Sequence, residues 1–226
     1  MKTIKFSNNA FYHIYNRGVD KRQVFYEDKD YLRLIHSLYE FNDKRSALPH
    51  YKTSSEALFQ RGSSRELLVH IICFCLMGNH FHLVLEQLTD GGITKFMRKL
   101  GTGYTLYFNK KHERNGVLFQ GQFKAIRIER EEYLLHLSRY IHLNPVDILE
   151  PNWKREGIKN WYAIRSFLNR YRWSSFIDYT GGKNFPSLIK ESILNTYFNE
   201  PAQYQKFIER FLGPEISKIE DILLES

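Results

Sequence analysis

The chain has 226 residues, 42% of them hydrophobic and 15% aromatic, enough apolar material for one ordinary core and too much for a disordered chain. A net charge of +8 points to a polyanionic partner, either nucleic acid or an anionic membrane surface. No apolar run approaches the roughly 18 residues that span a bilayer. The first residues also show no apolar signal core followed by a small-residue cleavage site, so a cytoplasmic protein is expected.

Residues 11–16, FYHIYN, are β-branched and aromatic and read as a first strand closed by Arg17-Gly18. Asp28 or Asp30 starts a helix whose apolar positions, Tyr31-Leu32, Leu34-Ile35 and Leu38-Tyr39, recur at helical spacing. Residues 42–66 are polar and Ser-rich, with Pro49 and Gly62, and read as a long loop in which EALFQ has the makings of a short helical turn. Residues 69–76 and 80–86 form a hairpin about Gly78-Asn79. Gly91-Gly92 precede an amphipathic helix over 93–109, traced by Ile93, Phe96, Met97, Leu100, Tyr104 and Tyr107-Phe108. Gly101 and Gly103 interrupt that helix, which suggests the close approach of a backbone or ligand.

Residues 110–116 read as a basic turn, and 123–128, FKAIRI, alternate as a strand. Residues 131–144 are helical, with acidic residues in the first turn and Pro145 as the stop. This order gives an α+β, ferredoxin-like (RNA-recognition-motif-like) fold: a four-stranded antiparallel sheet with two helices on one face. The other face is open, and the last helix crosses near it. Beyond 150 the chain carries Trp161, Trp173, Gly181-Gly182, Pro186 and helical runs at 187–198 and 203–212, with 11 basic residues against 9 acidic. It reads as a C-terminal helical appendage, dividing the chain into 1–150 and 151–226.

The second hairpin strand carries His80-Phe81-His82. Strand side chains alternate, so the two imidazoles share one face while Phe81, Leu83 and Leu85 take the other. In the helix 131–144, Tyr140 and Asn144 are four apart and stack on one face. A divalent ion held by His80, His82 and the Asn144 amide oxygen would keep open positions for phosphate oxygens. Oxygen ligands suit Mg2+ or Mn2+, and two imidazoles tilt the choice toward Mn2+ in vitro. Such an ion would polarise a scissile phosphate while Tyr140 attacks as a covalent nucleophile. A phenol of pKa near 10 needs a nearby cation or base to do so at neutral pH.

From 95 to 130 there are nine basic residues (Lys95, Arg98, Lys99, Lys110, Lys111, Arg114, Lys124, Arg127, Arg130) against Glu113 and Glu129, a net +7. Tyr104, Tyr107, Phe108, Phe119 and Phe123 interleave with them, the mix that neutralises phosphates and stacks unpaired bases. A solvated helix face is the alternative. Cys73 and Cys75, two apart in a strand, are badly placed for a mutual disulfide.

Four segments, YHIYNRG, MGNHFHLVLE, LFQGQFKAI and RYIHLNPV, occur in this order within residues 11–150. Together they resemble the HUH-type single-tyrosine transposases, and within them the REP-associated tyrosine transposase branch. The resemblance implies a metal-dependent transposase that cleaves and rejoins hairpin-bearing single-stranded DNA through a 5′-phosphotyrosine, with no nucleotide cofactor. It puts the histidine pair on His80 and His82, the nucleophile on Tyr140 and the polar ligand on Asn144, where relatives carry glutamine. It leaves open a monomer or a homodimer, and the tyrosine in cis or in trans.

Three other readings compete. Structural zinc could sit on Cys73, Cys75, His80 and His82. The chain could be an RNA-binding-type module using an open sheet face, or a domesticated hairpin binder without chemistry.

Overall fold

A computed structural model describes residues 5–45, 65–190 and 193–210. EALFQ and most of the long loop lie outside the described residues, as do 191–192 and 211–212 of the last helical runs. Residues 187–190, expected as helix, form a turn and a bridge to Ile71 instead. The four strands are β1 (Phe11–Arg17), β2 (Val69–Met77), β3 (His80–Gln87) and β4 (Lys124–Ile128). They form one antiparallel sheet in the order β2-β3-β1-β4. With α1 (Asp28–Glu40) between β1 and β2, and α2 (Gly92–Lys111) between β3 and β4, this is the expected ferredoxin-like arrangement.

Alternation sorts the strand side chains. Tyr12, Ile14, Phe74, Leu76, Phe81, Leu83 and Leu85 enter a first core with Leu34 and Leu38 of α1 and Phe96, Leu100 and Tyr104 of α2. Each fully buried aliphatic side chain contributes about 1.5–3 kcal/mol. A Glu27/Asp30 capping box starts α1. The ring of Phe41 lies where a Cβ on Gly103 would be, 2.6 Å from it, which accounts for one of the two helix glycines. Gly101 has open space around it.

The basic turn at 110–116 differs from expectation, because Lys110 and Lys111 still belong to α2. Lys111 Nζ reaches the buried Asp30 carboxylate at 2.5 Å and Glu27 at 2.6 Å, tying the end of α2 to the start of α1. Burial alone would raise the Asp30 pKa. The bonds from Lys111, the Tyr26 N–H and His112 outweigh burial and hold it below the usual range.

The second sheet face is roofed rather than open. A β-bulge between Ile71 and Cys73 turns Ile72 and Cys73 to the same side. They join Cys75, Met77, Val84 and Ile128 in a second core under α3 (Glu131–Leu143). The chain beyond 150 completes that core. It adds Trp153 on α4 (Trp153–Glu156), Ile164 and Leu168 on α5 (Trp161–Leu168), Phe176 and Tyr179 on α6 (Phe176–Tyr179), Leu194 on α7 (Ile193–Tyr197), and Tyr204 and Ile208 on α8 (Pro201–Glu209). So apolar a second face requires a cover, and the C-terminal helices supply it.

The same segment closes the β2 edge. Leu76 N–H donates to Trp173 O at 2.9 Å, Ser175 N–H to Phe74 O at 3.0 Å, and Phe74 N–H to Ser175 Oγ at 2.9 Å. Ser175 Oγ also meets His142 Nε2 at 2.8 Å, and His142 Nδ1 meets the Tyr204 hydroxyl at 2.6 Å. Helix α3 is thereby fastened to its own sheet.

Candidate active site

Register places the histidines. Tyr15 pairs with His82 and Arg17 with His80 across β1 and β3, while Cys75 pairs with His82 and Met77 with His80 across β2 and β3. His13, Tyr15, His80 and His82 therefore share the second face, with Lys124 of β4 opposite Tyr15. The His80 and His82 rings stand edge to face, 5.0 Å between centroids.

Both imidazoles are oriented through Nδ1. Asn79 Oδ1 is 2.6 Å from His80 Nδ1, and His13 Nε2 is 2.9 Å from His82 Nδ1, one nitrogen donating and the other accepting. His13 is fully buried on β1 and stacks on both Tyr15 and His82, at 4.8 and 5.1 Å. Sequence reasoning missed it, although it stands inside the YHIYNRG motif, because its partner is 69 residues away.

Burial pushes the His80 pKa down to about 4, partly opposed by a hydrogen bond with the Asn144 side chain; the nearby Lys154 charge lowers it further. Burial, with the neighbouring His80, His13 and Lys154, takes His82 well below its ordinary value. At neutral pH both rings are uncharged, the state in which imidazole binds a cation.

Tyr140 comes from α3. Its ring is buried and meets His82 edge-on at 5.9 Å. One turn later Asn144, buried at the start of the 3-10 turn Asn144–Ile148, donates from Nδ2 to Tyr140 O at 2.9 Å. That leaves the amide oxygen as its acceptor, on a side chain that also bonds His80. Tyr140, His80, His82 and Asn144 thus converge within one chain, while Tyr104 and Tyr107 lie in the other layer.

Two imidazole nitrogens and an amide oxygen fit a divalent ion that retains open positions. Among the described residues, no three His, Cys, Asp or Glu side chains gather as a metal cluster. The four-ligand zinc arrangement is not assembled: Cys73 faces Val84, and burial pushes both thiols up, keeping them protonated.

The basic run divides between the two layers. Lys95, Arg98, Lys99, Lys110 and Lys111 belong to α2, which packs on the first face, and Arg114 follows it. Lys99 Nζ caps the carbonyls of Asp43 and Arg45 at 2.6 and 2.8 Å, and Arg114 bonds Asn109 at 3.0 Å. Arg127 is exposed on β4, paired with Tyr12. Lys124 is the member on the second face, beside the histidines' strand neighbour Tyr15, its Nζ 5.8 Å from that ring's centre. Arg17 and Lys154, outside the run, stand closer to the histidines and lower the His80 pKa.

The family model described as "Transposase IS200 like" matches residues 7–144, from just before β1 to Asn144. The chain belongs to the IS200-like transposase family. It is therefore a DNA-processing enzyme by descent, and all four converging side chains lie within the matched segment. No curated protein matches the chain. A solved structure titled "Structure of the REP associates tyrosine transposase bound to a REP hairpin" aligns over 85% of this chain and 92% of that one, at 13% identity and a TM-score of 0.49. Among the described residues of this IS200-like transposase, no helix is long and apolar enough to cross a membrane.

Proposed function

We propose that this IS200-like transposase cleaves and rejoins hairpin-bearing single-stranded DNA through a covalent 5′-phosphotyrosine at Tyr140. The observation that carries this reading is the placement of Tyr140 against His82, one helical turn before Asn144, in one chain. His80, His82 and Asn144 would hold Mg2+ or Mn2+, and the ion would supply charge neutralisation at the scissile phosphate.

The chain's own residues do the rest. Asn79 and His13 hold the two imidazoles by their Nδ1 atoms, and α3 presents the phenol. As the Tyr140 Oη–P bond forms, the P–O3′ bond breaks, and the phenol proton ends on the departing 3′ oxygen. The reverse step rejoins the strand, so no nucleotide cofactor is consumed. Because both halves of the site come from one chain, the tyrosine acts in cis and a monomer suffices. Arg17 and Lys124 offer phosphate contacts on the catalytic face, and the exposed α2 cations Arg98 and Lys110 would meet flanking hairpin on the opposite layer. A non-catalytic binder that needs the whole sheet face open loses support, because the C-terminal helices cover the core of that face and leave Arg17 and Lys124 exposed at its histidine end.

The deciding experiment incubates the protein with labelled single-stranded hairpin DNA from either side of its own gene, with Mn2+. A denaturing gel should show a protein–DNA adduct. Its absence with every such strand would overturn the reading.

A further inference from the structure

The segment after Asn144 lies beyond the match to the family, yet it brings a cation to the nucleophile. Pro145, at the start of the 3-10 turn, keeps α3 from continuing and swings the chain back over the site. Trp153 is buried, and its Nε1 donates to Asp147 Oδ1 at 2.7 Å. The other carboxylate oxygen takes Lys154 Nζ at 3.1 Å. Trp153 thus fixes Asp147, and Asp147 fixes Lys154, whose ammonium stands 5.5 Å from the centre of the Tyr140 ring. Beside it opens a cavity of about 380 Å³ lined by Asp147, Pro151, Asn152, Lys154 and Arg155.

A partly exposed Lys–Asp pair is worth ~0–1 kcal/mol to the fold, which gives no reason to aim it at a nucleophile. The local charge balance also asks for an anion. Lys154 and Arg17 both bear on His80, and Asp147 is the carboxylate beside them, while Arg155, which lines the same cavity, is paired with Glu156 at 2.9 Å. A divalent ion at the histidines would deepen the imbalance. A phosphodiester corrects it.

We infer that Lys154 is a phosphate-binding catalytic residue, whose ammonium takes a non-bridging oxygen of the scissile phosphodiester beside Tyr140 while Arg155 and Asn152 receive the adjoining nucleotide. The inference rests on the strand-transfer reading and adds to it a residue from outside the matched segment. During transfer the Oη–P bond forms and the P–O3′ bond breaks, with the proton passing to the 3′ oxygen as above. The non-bridging oxygens keep their charge throughout, and Lys154 holds one of them as the phosphoryl group moves.

Binding and chemistry test it separately. In a Tyr140→Phe background, which cannot cleave, Lys154→Met should lower the salt slope of hairpin DNA binding by about 0.7, and Lys154→Arg should leave it unchanged. With a neutral methylphosphonate at the scissile linkage, mapped with wild-type protein, Lys154→Met should no longer change the slope. In the Tyr140 protein at saturating DNA, Lys154→Met should slow adduct formation about 100-fold, and Lys154→Arg should recover most of the rate. A merely structural lysine would change melting temperature but neither slope. An unchanged slope on the phosphodiester, or an equal drop on both DNAs, overturns the inference while wild-type protein still forms its adduct. Failure of wild-type protein to form any adduct overturns the strand-transfer reading instead.

Discussion

Strand and helix periodicity put His80 with His82, and Tyr140 with Asn144, each pair on one face, while the roles proposed for them rest on the family resemblance. What joins the pairs is tertiary, and so are the residues that were missed. His13 meets His82 only through the β1–β3 register, and Lys154 needs the turn at Pro145 and the Trp153–Asp147 bond. Tyr140→Phe removes one oxygen from a buried ring, so the adduct should vanish on a denaturing gel while DNA affinity stays within about three-fold, which corresponds to ~0.7 kcal/mol. His13→Leu removes the group that orients His82. Mn2+ affinity, followed by electron paramagnetic resonance, should fall about 10–100-fold, and His13→Gln should recover part of it. Unchanged Mn2+ affinity in the folded leucine variant would deny His13 that role.

At the scale of elements, the strands and the three long helices follow from hydrophobic period, and their order gives the topology. The roof was not legible, since short helices such as α4 and α6 carry too few turns to show a period. Its fully buried Trp153 sits in an otherwise polar stretch, PNWKRE. Charge counting likewise could not separate cations serving the fold from those facing DNA. Lys111 serves the fold. Lys111→Met leaves the buried Asp30 carboxylate short of its main partner and should cost about 2 kcal/mol in urea unfolding. Lys110→Met, at an exposed position, should stay within about 0.5 kcal/mol. Equal effects would mean that the Asp30 clamp contributes nothing.

At the scale of the whole molecule, the second core holds neutral imidazoles, and acid should attack it first. Burial takes the His142 pKa down to about 3, against about 6.5 in an unfolded chain. The unfolded state therefore binds the extra proton below pH 6.5, and stability falls as pH falls through that window. His142 alone accounts for about 2 kcal/mol between pH 6.5 and 4.5. The melting temperature should drop over this range, and less steeply in His142→Gln. The site's completeness within one chain gives a second expectation: mixing Tyr140→Phe with His82→Ala protein should restore no adduct, whereas recovery would mean exchange of α3 between subunits. The strip at Trp173–Ser175 bears on a different hazard. An unpaired strand invites identical chains to add themselves to a sheet. Here one border is already occupied by the chain's own backbone, and the other is the five-residue β4 with Lys124 and Arg127 exposed on it. Runaway polymerisation through the sheet is discouraged at both borders, so this transposase can accumulate without sticking to its own copies.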